Sequence, residues 1–111
     1  MIMREWRAEI RRELRDEYVD YVRRTGLAEY RRTEGNLGAA IAVRDIDERR
    51  SEIVTVSYWV SLDAIRAFAG TPIDEARYFP ENERYLLTRP EKVAHYEATG
   101  FDEPAARGDA P

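Results

Sequence analysis

The feature that most constrains the fold is a change of hydrophobic period near residue 10. Over residues 2–10, apolar and polar side chains alternate with a period of two, which is typical of a β-strand. From there to Val22, apolar side chains recur at three- and four-residue intervals, which predicts one face of a helix. Gly26 is expected to end or interrupt that helix. The chain therefore begins with a strand followed by a helix.

Two further strands and a second helix follow in the sequence. An apolar run at residues 37–43 and a stronger one at residues 51–60 flank a polar segment, which predicts an antiparallel hairpin. Ser61 then occupies an N-cap position ahead of a helical pattern that Gly70 ends. Strand character returns at residues 92–98. The full order is thus β-α-β-β-α-β.

This order predicts an α+β fold of the ferredoxin-like type, with one four-stranded antiparallel sheet and both helices on one face. The 111 residues suffice for one domain, which we assign to residues 1–100. Residues 101–111 hold two prolines, a glycine and alternating charges, and are expected to form a flexible tail. Short helical turns are also expected to begin at Thr71 and at Pro80, ahead of the last strand.

Composition excludes several classes of function. The chain has no cysteine and a single histidine, which excludes disulfide scaffolds, thiolate metal sites and multi-histidine metal sites. The net charge is −4, and the arginines of the first helix alternate with carboxylates, which argues against a nucleic-acid interface. No apolar run reaches the length of a membrane span, and the N-terminus lacks the apolar core of a secretory signal. We therefore expect a cytoplasmic protein.

Two rows of side chains on the third strand indicate where a partner and a ligand would bind. The row from Val54 to Val60 is wholly apolar and is predicted to pack against the helices. The other row contains Thr55, Ser57 and Trp59, and it is too apolar to be left in water. Covering it with a second copy predicts a homodimer. The enclosed hydroxyls then predict a small-molecule pocket, the alternative being a plain dimer interface.

Three segments resemble the antibiotic biosynthesis monooxygenase superfamily. Residues 57–68 resemble its strand-to-helix junction, with the tryptophan, the following serine and an Ala-x-x-x-Phe helix. Residues 33–39 resemble its glycine-containing turn, and residues 93–97 resemble the last strand of its small bacterial members. The resemblance covers roughly residues 2–98. It implies a dimeric α+β barrel.

The resemblance implies two alternative chemistries. One branch oxygenates aromatic polyketides or quinols without metal or flavin, and the other binds and degrades haem. Thr55 stands where the first branch typically carries an asparagine, and residues 62–69 contain no histidine of the kind that the second typically adds. The leading hypothesis is a cofactor-free monooxygenase acting with dioxygen on a small aromatic, polyketide or quinol-type substrate. The alternatives are a haem enzyme with His95 or a tyrosine as axial ligand and a non-catalytic dimeric ligand-binding protein.

Cofactor-free oxygenation requires a base, donors for an oxyanion and a dry cavity. His95 is the candidate base because a histidine ordinarily titrates near neutrality. Trp59 is the candidate catalytic pocket wall, able to donate from its indole and to stack on an aromatic ring. The structural alternatives are a histidine that is hydrogen-bonded within the barrel or lies at a dimer seam, and a core or interface tryptophan. Further candidate substrate-binding residues are Trp6, Thr55, Ser57, Tyr21, Phe68, Phe79 and Tyr85.

Overall fold

Four strands form an antiparallel sheet in the computed structural model, which describes residues 1–100. Their bounds are β1 Ile2–Arg11, β2 Asn36–Asp45, β3 Arg50–Trp59 and β4 Ala94–Glu97. They lie in the order β2-β3-β1-β4, with every neighbouring pair antiparallel. This order is the one that β-α-β-β-α-β connectivity produces, so the predicted α+β ferredoxin-like fold is confirmed. The predicted tail, 101–111, lies outside the described residues.

The first connection between strands is a long helical segment of mixed geometry. A 3₁₀ turn, an α-helix, a π-helical turn and a second α-helix follow one another as Arg12–Leu14, α1 Arg15–Val22, Arg23–Leu27 and α2 Ala28–Arg32. Gly26 lies in the π-helical turn, so the helix is interrupted there but continues beyond it. Because it continues, Tyr30 of α2 reaches the same cavity as Tyr18 and Tyr21 of α1.

The second connection begins with the short helix α3, Leu62–Ala69. The Ser61 hydroxyl accepts a hydrogen bond from the Ala64 N–H at 3.2 Å, which is the predicted N-cap. Gly70 follows the helix with a φ of 76°, a conformation that a residue with a side chain rarely adopts. The start and the end of this helix are therefore where the sequence predicts them.

The segment after α3 departs in part from the prediction. The helical turn predicted at Thr71 is wrong, since residues 71–79 form turns and irregular structure. The backbone of this segment forms hydrogen bonds with residues just before β4. The Asp74 carbonyl accepts from Val93 N–H at 2.8 Å, and Ala76 N–H donates to Glu91 O at 2.9 Å. Those two bonds tie the segment to the approach of β4. The turn predicted at Pro80 is present as the 3₁₀ helix Pro80–Arg84.

The two faces of β3 are the reverse of the prediction. Thr55, Ser57 and Trp59 point towards the helices and are buried, whereas Val54 and Val56 lie on the opposite, open face and are partly exposed. We call these the inner face and the open face of the sheet. The predicted orientation was therefore wrong.

The neighbouring strand explains this orientation. On β1, the row that shares the open face with Val54 and Val56 contains Glu5, Arg7 and Glu9. Burying three charged side chains under the helices would be costly, so this row stays at the surface. The other row of β1 lies on the inner face with Trp59 and consists of Ile2, Arg4, Trp6, Ala8 and Ile10.

Trp59 forms the centre of one of two hydrophobic clusters beneath the helices. Its side chain is 0% exposed and packs against Ile65 and Ala69 of α3. The indole N–H donates to the Ser57 hydroxyl at 2.9 Å, which satisfies both buried polar groups. Tyr30 meets the indole edge-on, with ring centroids 5.8 Å apart. Trp59 is thus a core tryptophan, the structural alternative to a pocket wall.

The second cluster lies at the other end of the inner face. Its buried members are Ala8, Ile10, Tyr18, Ile53, Tyr85 and Leu86. The two clusters leave the middle of the inner face, around Arg4, Trp6 and Thr55, between them. Within residues 1–100, no helix is long and apolar enough to cross a membrane.

Replacing Trp59 tests its place in the core. We expect Trp59→Ala to lower the free energy of unfolding by about 3–5 kcal/mol, because it opens a large cavity under α3. Leu37→Ala is the control, since Leu37 is 55% exposed on β2 and should change stability by less than about 0.5 kcal/mol. Urea denaturation followed by circular dichroism gives both values. Equal stability of the two variants would contradict the placement.

Candidate functional site

A cavity of about 680 Å³ opens between the inner face of the sheet and the helices. Arg4, Trp6 and Thr55 form its floor on β1 and β3. Aromatic side chains from β1, the three α-helices and the segment after α3 line it, namely Trp6, Tyr18, Tyr21, Tyr30, Phe68, Tyr78 and Phe79. A concave site with apolar walls and a few polar groups is typical of small-molecule binding.

The cavity lies in a different place from the predicted pocket. The sequence predicted a hollow between the sheets of two copies, with Trp59 as its wall. The structure instead places the cavity under the helices of one chain, because the row containing Thr55 faces inwards. A second copy is therefore not needed to form its walls.

The predicted substrate-binding residues divide into two groups. Five of them line the cavity: Trp6, Tyr21, Thr55, Phe68 and Phe79. Ser57 and Tyr85 are not among its lining residues. Ser57 is buried as the acceptor for Trp59, and Tyr85 stacks on Tyr18 with ring centroids 4.6 Å apart. The Tyr85 hydroxyl donates to Glu17 Oε2 at 2.6 Å and so points away from the cavity wall.

Trp6 is held in a defined orientation by a hydrogen-bonded chain. Its indole N–H donates to the Tyr78 hydroxyl at 3.0 Å, and that hydroxyl donates to the Pro90 carbonyl at 2.6 Å. Burial raises the pKa of Tyr78, with the Trp6 hydrogen bond opposing that shift, so the phenol stays protonated at neutral pH. The chain leaves the ring of Trp6, rather than its N–H, available to a ligand.

A second polar group reaches the cavity from the helix side. The Tyr18 hydroxyl accepts from the Asn82 side-chain amide at 3.2 Å, and both residues line the cavity. Burial raises the pKa of Tyr18, with nearby tyrosines adding to the shift, so this phenol also stays neutral. The pair supplies hydrogen-bonding groups without charge.

Arg4 is the buried cation of the site. Only 7% of the residue is exposed, and it lines the cavity floor. Its Nη1 donates to the Ile73 carbonyl at 2.6 Å and lies 2.9 Å from His95 Nε2. A guanidinium has no acceptor, so His95 Nε2 must accept this bond and the ring proton must reside on Nδ1.

His95, the predicted base, lies behind Arg4 rather than in the cavity wall. It pairs with Arg4 across β1 and β4 and is not among the lining residues. Burial and the charge of Arg4 lower the pKa of His95, with Asp74 opposing them, so the imidazole is neutral at pH 7. The lone pair that a base would use is already occupied by Arg4. In this arrangement His95 orients Arg4.

Sequence reasoning missed Arg4 and Tyr30 as cavity residues. All but one of the basic residues are arginine, so the residue type alone carries little information. A usable signal was nevertheless present: Arg4 stands in an alternating row whose other members, Ile2, Trp6 and Ala8, are apolar. A charged side chain in a row that faces the core is costly unless it binds something. Tyr30 could not be placed because the helix was expected to end or be interrupted at Gly26.

Comparisons with known proteins bear on the fold alone. No protein-family model matches the chain, and no curated protein matches it. Among solved structures, it is similar to a Bacillus cereus protein provisionally named an antibiotic biosynthesis monooxygenase, with a TM-score of 0.65. The two are 14% identical, over 93% of this chain and 97% of the other. The chain thus shares the α+β ferredoxin-like fold of that protein.

The contact between Arg4 and His95 predicts a pH dependence of stability. The pKa of His95 is lower in the folded state than its usual value of about 6.5. The unfolded chain therefore binds more protons just below pH 6.5, and stability falls as the pH is lowered through that region. His95→Gln should remove this part of the pH dependence, since glutamine can accept from Arg4 but does not titrate.

The measurement is urea denaturation of both proteins between pH 7.5 and pH 5.5. We expect the stability of the wild type, relative to His95→Gln, to decrease as the pH falls. A constant difference, or a relative gain by the wild type at low pH, would contradict the buried contact.

Proposed function

We propose that the protein binds a small aromatic molecule in the cavity and oxygenates it with dioxygen, without a bound cofactor. The single observation that carries this proposal is the aromatic lining of a cavity of about 680 Å³, with Trp6 and Phe68 at its floor and wall. Polyketide- and quinol-type molecules are flat, and their rings match such walls. The fold shared with a protein provisionally named a monooxygenase supports the class of reaction.

The proposed reaction uses the electrons of the substrate itself. Loss of a proton gives an electron-rich anion, which transfers one electron to dioxygen to form a radical and superoxide. These combine in a carbon–oxygen bond, and protonation gives a hydroperoxide. Loss of water from the hydroperoxide leaves a carbonyl group, so one oxygen atom enters the product and the other leaves as water. The protein must hold the ring, stabilise the anion and exclude water.

As the base, His95 can act only after a substrate hydroxyl replaces Arg4 at Nε2. The two side chains lie 2.9 Å apart, with Arg4 on the cavity floor and His95 behind it. A phenol inserted between them would donate to Nε2, and its oxygen would accept from Arg4. We propose this exchange as the route for the first proton, with Nε2 as the atom that receives it.

Haem is the alternative cofactor, and three side chains near the cavity, His95, Tyr78 and Tyr18, do not offer it an iron ligand. His95 Nε2 is bonded to Arg4, and the Tyr78 hydroxyl is bonded to both Trp6 and Pro90. Burial raises the pKa of Tyr18, which disfavours the tyrosinate that iron requires. A shift of the haem Soret band on titration of the protein with haem would contradict the conclusion that these side chains do not ligate iron.

Oxygen consumption with a panel of anthrones and quinols tests the proposed reaction. We expect uptake by the wild type, and a roughly five- to tenfold lower kcat/KM for Phe68→Leu, because leucine keeps the apolar volume but loses the aromatic face. Leu62→Ala is the matched control on the same helix, since Leu62 is exposed. Binding without oxygen uptake would instead favour a non-catalytic ligand-binding protein.

We also propose that two copies pack through the open faces of their sheets. The open face carries the apolar side chains Met3, Val54, Val56, Tyr58, Ala94 and Tyr96, and Tyr96 is 47% exposed. Its charges are already paired within the chain, with Glu52 accepting from Arg7 and from Arg44 at 2.9 Å each. An apolar centre surrounded by charged side chains that pair within the chain can pack against an identical surface without leaving charges unpaired. We therefore still propose the homodimer that the sequence predicts, but with the row of β3 that contains Val54 and Val56 at its interface.

Val56→Glu tests the dimer, since it puts a charge at the centre of the open face. We expect the wild type to elute as a dimer and this variant as a monomer in size-exclusion chromatography with light scattering. Leu87→Glu, which changes an exposed apolar residue away from the strands, is the control and should remain dimeric. A monomeric wild type would contradict the proposal.

A further inference from the structure

A buried cation without a carboxylate partner lies on the cavity floor. Charged side chains are rarely buried unless an opposite charge accompanies them. Within residues 1–100, no carboxylate forms an ion pair with Arg4, and nearby Asp74 pairs with Lys92 at 3.4 Å. The partners of Arg4 are neutral: the Ile73 carbonyl, the His95 imidazole and the ring of Phe68, 5.9 Å from Cζ. Within the part of the chain that the structure describes, only the more distant Asp74 offsets this positive charge, and it does so without an ion pair.

Part of the guanidinium remains available to a ligand. Both hydrogen bonds, to Ile73 and to His95, are made by Nη1. The remaining donors are on Nη2 and Nε. Each of these nitrogens is either accessible or hydrogen-bonded. Tyr30 lies close enough to act on the pKa of Arg4, and Arg4 itself lines the cavity. Arg4 thus lines the cavity with donor groups beyond the two bonds that Nη1 makes, and Tyr30 is the neighbour that shares them.

The surroundings of Arg4 favour an anion. Burial lowers the pKa of Arg4, and Tyr30 opposes that shift, which means that the charge is held in a poorly solvated place. Three further arginines, Arg24, Arg32 and Arg77, also line the cavity. The carboxylates that line it, Glu29, Glu75 and Glu81, are all exposed, which places them at the mouth. A negative charge bound on the floor would meet Arg4 first.

We infer that Arg4 binds an anionic oxygen of the ligand, so that the substrates of this cavity are aromatic molecules carrying a carboxylate or an ionised hydroxyl. The inference rests on the proposed aromatic-binding function and adds the charge of the ligand and the residue that recognises it. The planar guanidinium can form two parallel bonds to such a group while the ring of the ligand contacts Phe68 and Trp6. Where the group is an ionised hydroxyl, Arg4 then stabilises the substrate anion that reduces dioxygen.

The test compares two probes of the same shape and different charge. 2-Naphthoate and 2-naphthamide share a ring system, but only the first is an anion at pH 7. Isothermal titration calorimetry of the wild type should show 2-naphthoate binding roughly tenfold or more tightly than 2-naphthamide, as a charge-assisted hydrogen bond predicts. This comparison needs no variant, so it stands even where a replacement of Arg4 disturbs folding.

Variants then assign the preference to one residue. Arg4→Met keeps a long side chain without charge and should bind both probes equally, whereas Arg4→Lys should keep part of the preference. Arg66→Met is the matched control, because Arg66 is an exposed arginine outside the cavity lining and its loss should leave the preference intact. Circular dichroism checks that each variant folds.

The outcomes separate this inference from the proposed function. Equal affinity for the two probes in the wild type, or a preference that survives in Arg4→Met, would overturn the inference while leaving the aromatic cavity. Failure of both probes to bind the wild type would overturn the proposed function itself. The absorbance of bound 2-naphthol distinguishes the two kinds of anionic group, a carboxylate and an ionised hydroxyl. A naphtholate band that is present with the wild type and absent with Arg4→Met indicates that a hydroxyl is ionised in the cavity. If 2-naphthol binds in its neutral form while 2-naphthoate binds tightly, the substrate carries a carboxylate of its own.

Discussion

The burial of Trp59 under α3 determines which side chains of β3 and β1 face the helices. Side chains alternate across a sheet, so a strand that turns one residue inwards turns every second residue inwards with it. The register of β3 with β1 then places Arg4, Trp6 and Ala8 on the same inner face. The register of β1 with β4 adds His95 beside Arg4. The position of the site therefore follows from the burial of Trp59.

The cavity exists because the inner face is filled at both ends and open in the middle. At one end Trp59 and the residues of α3 form a dry cluster, and at the other Tyr18 and Tyr85 stack over β1 and β3. Between them, Thr55 offers too little volume to fill the space beneath the helices. Aromatic side chains close the walls, and Arg4 puts a positive charge at the bottom. A flat molecule with a negative group complements both features.

Much of the fold was predictable because local signals agreed with one another. The alternation of β1, the cap at Ser61 and the stop at Gly70 each depend on neighbouring residues alone, and they define the element order. The face of β3 could not be read from β3, because both of its rows contain large apolar side chains. The charged row of β1, with Glu5 and Arg7, carried the missing information, because neighbouring strands share a face. Reading β3 by itself placed the pocket on the wrong side.

A crystal structure of the protein with 2-naphthoate tests the central claim most directly. The account predicts that the naphthalene ring lies between the sheet and the helices, against Phe68 and Trp6, with a carboxylate oxygen about 3 Å from the Arg4 guanidinium. A ligand bound between the open faces of two copies, or one whose carboxylate lies away from Arg4, would contradict it.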